Sequence, residues 1–549
     1  MRNRLVACAI ATLGLFTAVA TAGPGQAAQA DAGPVLVPQA VQAPDAPGKP
    51  GAAGDACTAP TPDPSGTVTT YAWIHCYTPA QIATAYGVGA LHAAGNLGAG
   101  QTIVLLDAYG SPTARQDLQK FHDTFFAALP SPDFDVVYPQ GPPDFQNGCH
   151  GNGTGLSGPC AAAGWSGEAT LDIEWAYAIA PRAHIVLIGV PPAETEGVQG
   201  FPNLFKALQQ AIDTYPAGTV ISQSFGVTEQ TFGGAAQVQT ARFDAIYRAA
   251  AAKGDTVLAS SGDDGSTGAA KQHGQTATYP FPTVGWPASS PYVTAVGGTQ
   301  LQYGWTWQPA SDVPFLANGD YNPAYFAFTS GGNSEPAWNE TWLPAATGGG
   351  PSVIYPRPAW QAQQAPIIGR DARGVPDLSW NAAVNGGVLV WITAFPGYQR
   401  SGWHVYGGTS AASPQVAGLI ALANEQQAAA AQPPLGFLNP LLYRVGDQPG
   451  AATAAFGGGG SFRDIVPHTY GTAASGVLAD NRLWQYNADG SVSPGPVPGW
   501  PTLPGWDMTT GFGSPRAAAF VAAIRAARNT PCPPDHPPAM RPEAPISLA

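Results

Sequence analysis

Between residues 102 and 260, short apolar runs alternate with stretches whose apolar positions recur at helical spacing. Thr102–Ala108 (TIVLLDA), Ala183–Val190 (AHIVLIGV), Thr219–Ser224 and Thr256–Ser260 are of strand length, and all but Thr219–Ser224 are mostly apolar, as expected of strands buried on both faces. Between them, Thr113–Phe126, Gly167–Ala180, Leu204–Tyr215 and Ala235–Ala252 read as helices. The alternation predicts an α/β domain, a mostly parallel sheet with helices on both faces. Ligands of such sheets gather at the carboxyl ends of the strands. Asp107, Ser224 and Asp263 fall there. The region 300–400 is rich in Trp, Pro and Gly, and its aromatics are read as core or loop anchors rather than a binding surface.

The ends of the chain read differently. Arg2 and Arg4 precede an apolar run, Leu5–Ala20, followed by the small-residue sites Ala20-Thr21-Ala22 and Ala28-Gln29-Ala30. This is the pattern of a secretory signal over 1–28, so a secreted, extracellular protein is expected. No later apolar run reaches membrane-spanning length, and no membrane partner is expected. Residues 29–70, rich in Ala, Pro and Gly, read as a leader or linker. Order is expected from near Tyr71 through residue 530 as one large domain, with a Pro-rich tail over 531–549.

Composition narrows the partners. Charged residues are 10% of the chain and the net charge is −13, which argues against a nucleic-acid partner, since that needs a basic face. Cys8 leaves with the signal. Cys57 and Cys76 are near in sequence, as are Cys149 and Cys160, and each pair is a candidate disulfide; Cys532 is left over.

Three segments carry candidate chemistry. In Gly407-Gly408-Thr409-Ser410-Ala411-Ala412-Ser413-Pro414 a glycine turn opens onto a serine at the start of a helix. Glycines admit a close backbone approach, and a helix N-terminus favours developing negative charge. A plain N-cap serine is the alternative. In Gly167-Glu168-Ala169-Thr170-Leu171-Asp172 the two carboxyls are four residues apart, so they share a helix face. Two such neighbours cannot both ionise cheaply. A solvated acidic face is the alternative, weakened by the apolar surroundings. Glu174 points elsewhere and reads as structural. In the third segment an apolar strand ends in Gly262-Asp263-Asp264-Gly265; a Gly-Asp turn is ordinary by itself.

Together these segments resemble the sedolisin (serine-carboxyl peptidase) family of the subtilisin-like clan. The string from Gly407 to Gly418 resembles the clan's nucleophile segment, and the E-x-x-x-D of Glu168 and Asp172 stands where a subtilisin would need a histidine helix. Tyr77-Thr78-Pro79, Ser222-Gln223-Ser224-Phe225-Gly226 and the run from Pro287 to Thr299 also match. The resemblance implies a subtilisin-like fold in a single catalytic domain over 71–530. It implies Ser410 as nucleophile, Glu168 and Asp172 as base relay, and Asp263 as oxyanion residue, with acid activity on protein or peptide substrates. A neutral carboxylic acid donates to an oxyanion only while protonated. Asp107 would be an outer link of the relay, where some members carry Glu. Phe462-Arg463-Asp464-Ile465 and Pro504-Gly505-Trp506-Asp507 resemble the family's calcium segments. They imply one structural Ca2+ held by Asp464 and Asp507 carboxylates and by the carbonyls of Ile465, Leu503 and Gly505. A monomer is expected. The family's long prodomain has no counterpart between the signal and the catalytic start. Two alternatives are a histidine-dependent hydrolase using Asp107, and a non-catalytic pseudo-peptidase binding peptides or cell-wall material.

Overall fold

The computed structural model describes residues 37–38, 40–42, 74–143, 145, 158–190, 197–269, 278–395 and 401–530. The expected signal over 1–28 and tail over 531–549 lie outside these residues. So do Cys57, Cys149 and Cys532, and the side chain of Cys160 is likewise not described; Cys76 is buried and disulfide-bonded.

Seven parallel strands form the central sheet. In chain order they are β1 (Thr102–Ala108), β2 (Phe134–Val137), β3 (His184–Val190), β4 (Val220–Gln223), β5 (Thr256–Ser260), β6 (Thr294–Thr299) and β7 (Leu378–Asn381). Across the sheet the order is β7-β6-β5-β4-β1-β3-β2. The chain lays down β1, β2 and β3 on one side, then jumps across β1 to build β4 to β7. This reversal creates a crevice at the carboxyl ends of β1 and β4.

Side chains alternate across the sheet, as strand geometry requires. Ile103 and Leu105 of β1 join a core with Leu171 and Trp175 of helix α2 (Gly158–Ile179) and Leu419 and Ile420 of helix α5 (Thr409–Ala429). Helix α1 (Ala114–Phe125) packs on that side through Leu118 and Phe121. Val104 and Leu106 face the other way, toward Phe201 and Leu204 of α3 (Gly197–Thr214) and Phe243 and Tyr247 of α4 (Ala236–Lys253). The α/β expectation therefore holds, with helices on both faces.

Two helices begin earlier than their apolar pattern predicts, α2 at Gly158 and α3 at Gly197. Their first turns carry Gly and Pro, whose low helix propensity hides the start. The aromatic region is core: Trp305, Trp307, Tyr325, Phe326 and Trp342 are buried together with Ile74 and Leu389. The leader differs from a plain linker. Val37–Pro38 pairs antiparallel with the strand Phe225–Thr228, and Val41–Gln42 pairs antiparallel with the strand Gly402–Gly407. Strands of two residues are too short to show periodicity. Among the described residues no helix is long and apolar enough to cross a membrane.

Candidate active site

Ser410 is the second residue of α5 and is fully buried. The turn before it depends on glycine. Gly408 has φ 93°, a left-handed conformation that other residues adopt at a cost. A Cβ on Gly407 would lie 2.5 Å from the Ala382 carbonyl oxygen. The hydroxyl therefore emerges from a tightly packed backbone at a helix N-terminus, where the field favours an anion.

Helix α2 runs beneath it, and residues 165–180 are buried all round. Glu168 and Asp172 are 0% exposed, which removes the solvated-face alternative. Ser224, just past β4, donates its hydroxyl to Asp172 Oδ1 at 2.9 Å. Asp107 follows Leu105 on the same face of β1 and is also fully buried. Burial raises all three carboxyls: Asp107 to about 8, and Glu168 and Asp172 well above the ordinary range. After burial, the charges of Asp172 and Asp107 raise Glu168, and that of Asp107 raises Asp172. The charge on each carboxyl thus bears on the protonation of the others. The Ser410 hydroxyl acts in the opposite sense, favouring the charged form of Glu168, although no bond of standard length and angle joins the two side chains. Glu174 lies apart and accepts the Trp391 N–H at 3.0 Å, the structural role expected of it.

Asp263 follows β5. The Ala346 and Gly348 amides brace its loop by donating to the Asp263 and Gly262 carbonyls. Thr409 donates both its N–H and its hydroxyl to Asp263 Oδ1, each at 2.8 Å. The Thr409 hydroxyl in turn accepts the Gly262 N–H at 3.1 Å. The residue is partly exposed, yet Oδ2 itself is buried and accepts no bond. Burial holds this carboxyl well above the ordinary range, against the two Thr409 bonds that favour ionisation. A proton retained there belongs on Oδ2, because Oδ1 is already occupied as an acceptor. Asp264, its neighbour, is raised only to about 6 and is bonded by the Ala269 amide. A small cavity, partly open to solvent, lies beside Asp263, lined by Gly226, Val227, Ser261, Asp264 and Thr283 among others.

The two C-terminal segments also converge. The Gly505 N–H donates to both oxygens of Asp464, at 3.1 and 3.2 Å. Asp507 accepts the Leu503, Thr509 and Thr510 amides at 2.7 to 2.9 Å. Ile465 is fully buried behind Asp464. The turn from Leu503 to Gly505 is thus held between two carboxylates.

The family model described as the subtilase family matches residues 98–434. The chain belongs to this family. Within it the similarity is to the sedolisin branch. The chain is 32% identical to kumamolisin from Bacillus sp. (strain MN-32), over 66% of its own length and 51% of kumamolisin's. It is 28% identical to human tripeptidyl-peptidase 1, over 65% of itself and 51% of that protein. The chain spans about half the length of the curated relatives it matches. A solved structure of Pseudomonas sedolisin, a serine-carboxyl proteinase complexed with two molecules of pseudo-iodotyrostatin, superposes with a TM-score of 0.55 at 25% identity, covering 82% of this chain and 99% of that one.

In this sedolisin-type subtilase the fold brings together every residue expected at the centre: Ser410, Glu168, Asp172, Asp263 and Asp107. Among the described residues no histidine acts on the four carboxyls. Thr409 was part of the quoted motif, but nothing in its position announced a bond to Asp263, 146 residues away. Ser224 stood at the right end of its strand, but which carboxyl it serves follows only from the packing of α2 on the sheet.

Proposed function

We propose that this chain is an acid-active serine-carboxyl peptidase that cleaves protein or peptide substrates through an acyl-enzyme. The observation that carries the reading is the buried set of Glu168, Asp172 and Asp107 facing Ser410. In this reading the three carboxyls share protons and retain one negative charge at acid pH; the Ser410 hydroxyl favours the charged form of Glu168, which then acts as general base.

In the proposed reaction Ser410 Oγ attacks the scissile carbonyl carbon and Glu168 accepts its proton. Asp172 and Asp107 spread the resulting charge change along a shared-proton chain, and Ser224 orients Asp172. The developing oxyanion receives a hydrogen bond from protonated Asp263 Oδ2. Glu168 then returns the proton to the leaving amine. A water, deprotonated by Glu168, hydrolyses the acyl-serine and regenerates the free hydroxyl.

The same reading includes one structural Ca2+ at the converging C-terminal segments. The donors are all oxygen, as calcium prefers: the Asp464 and Asp507 carboxylates with the Ile465, Leu503 and Gly505 carbonyls. Several oxygens of the required six to eight would come from the backbone or water. Bound there, the ion would staple the two segments together. Secretion, action as a monomer and the absence of a nucleic-acid partner complete the proposal, in keeping with the apolar N-terminal run and the net charge of −13.

The test is hydrolysis of an unfolded protein across pH 3–8, with and without a serine-directed peptide aldehyde. Inhibitable cleavage with an acid maximum is expected. A maximum at or above neutrality, or no cleavage at any pH, would overturn the proposal.

A further inference from the structure

We infer that Asn481 is a positioning residue for the oxyanion acid: it ties together the two backbone segments that hold Asp263. It comes from residues 466–502, the stretch between the two proposed calcium segments, and the inference rests on the peptidase reading above.

Thr409 fixes the Asp263 carboxyl, but the place of its backbone is set elsewhere. Residues 262–265 run beside residues 346–348 as a short ladder. The Ala346 N–H donates to the Asp263 carbonyl at 2.8 Å, the Gly348 N–H to the Gly262 carbonyl at 2.7 Å and the Gly265 N–H to the Ala346 carbonyl at 2.8 Å. Asn481 fastens both sides of this ladder. Its carbonyl accepts the Ser266 N–H at 3.1 Å, on the Asp263 side. Its Nδ2 donates to the Thr347 carbonyl at 3.1 Å, on the other. The Thr347 hydroxyl accepts the Gly298 N–H of β6 at 2.8 Å, so the brace is anchored to the central sheet.

The side-chain amide has one orientation. Its Oδ1 accepts the Trp500 N–H at 2.8 Å, so exchanging oxygen and nitrogen would set donor against donor and acceptor against acceptor. Asn481 is 0% exposed, although residues 485–490 of the same stretch are all exposed. Its main chain also comes close enough to demand glycine opposite. Gly265 has φ 64°, and a Cβ there would lie 2.3 Å from the Asn481 carbonyl oxygen. An oxyanion donor is effective when it is already held where the charge develops. Thr409 holds Asp263 from the nucleophile's side, and Asn481 holds its loop from the opposite one.

Asn481→Leu keeps the approximate shape and removes both side-chain bonds. Asn481→Asp keeps an acceptor for Trp500 and donates to Thr347 only while protonated. These two forms, Asp263→Ala and the Asp263→Ala/Asn481→Leu double form are assayed on a peptide substrate from pH 3 to 7. Affinity for a peptide aldehyde, which forms a tetrahedral adduct with a serine, and melting temperature are measured on the same samples. Asn481→Leu is expected to lose about 10-fold in kcat with KM little changed, and as much in aldehyde affinity. In the Asp263→Ala background the same change should cost less than about 2-fold, because no acid is left to position. Asn481→Asp should approach the parent at pH 3 and fall away from it as pH rises. A folded Asn481→Leu form with the parent's kcat, or an equal loss with and without Asp263, overturns the inference and leaves the peptidase reading standing. Where Asn481→Leu does not fold, the Asp form decides: a kcat ratio to the parent that stays constant across pH overturns the inference. A parent that cleaves nothing at any pH ends both readings.

Discussion

Thr409 holds the carboxyl of Asp263 from two sides, donating both its amide and its hydroxyl to Oδ1 at 2.8 Å. The consequence is chemical. Of the two oxygens, only Oδ2 is left to carry a proton, so the orientation of the acid is set by the residue next to Ser410. One turn therefore positions both the Ser410 hydroxyl and the acid that, in the proposed reaction, would receive the oxyanion.

Thr409→Val removes the hydroxyl and keeps the amide and the shape. It is expected to lower kcat about 10-fold with little change in KM. Asp263→Ala should cost about 100- to 1000-fold in kcat, the usual loss for an oxyanion donor. Asp263→Asn keeps a donor that cannot ionise, so it should retain more activity than Ala and lose less of it as pH rises. Steady-state kinetics from pH 3 to 7 separates the three.

Ser410→Ala and Glu168→Ala should each reduce turnover by at least about 10,000-fold, as for groups that act as a unit. Their far-UV circular dichroism should match the parent. Combining the two should cost little more than either alone; a full multiplication of the two losses would separate Glu168 from the serine's chemistry.

Stability should fall as pH rises. Burial lifts Asp107 to about 8, Glu340 to about 7 and Asp117 and Asp244 to about 6. Folded, these groups keep protons that the unfolded chain has already released. Their contribution is therefore full below about pH 4 and is lost as pH passes through the folded values. The melting temperature should be higher at pH 4 than at pH 8. Asp107→Asn removes one of these titrations and should narrow the difference; an unchanged or reversed difference would contradict the buried-acid arrangement.

Chelation by EGTA should lower the melting temperature by a few degrees, as loss of a tightly bound ligand does. Asp464→Ala should start from the lowered value and show no further response. An equal chelator response in parent and variant would place any bound ion elsewhere.

Much of the centre was legible because helix and strand periods are strict. The i,i+4 spacing of Glu168 and Asp172 assigns them one face of α2, and an apolar strand ending in Gly262-Asp263 assigns that aspartate to a carboxyl end. The alternation from β1 through β5 was enough for the α/β class. Helix starts at Gly158 and Gly197 were not legible, because their first turns contain residues that disfavour helix. The pairing of Val37–Pro38 and Val41–Gln42 was not legible either, since two-residue strands carry no period and their partners lie far along the chain.

By itself, then, the sequence determined on which element each candidate group sits: a serine at a helix start, two carboxyls on one helical face, an acid at a strand end. These follow from local geometry, where spacing in sequence is spacing in space. The tertiary structure alone decided how they meet. Packing α2 and α5 on one sheet face buried Asp107, Glu168 and Asp172 and so raised them together. It also turned Thr409 onto Asp263, placed Ser224 on Asp172 and paired Val41–Gln42 with the strand that leads to Ser410. Those contacts join residues separated by 52 to more than 300 positions, and no local pattern encodes a distance of that kind.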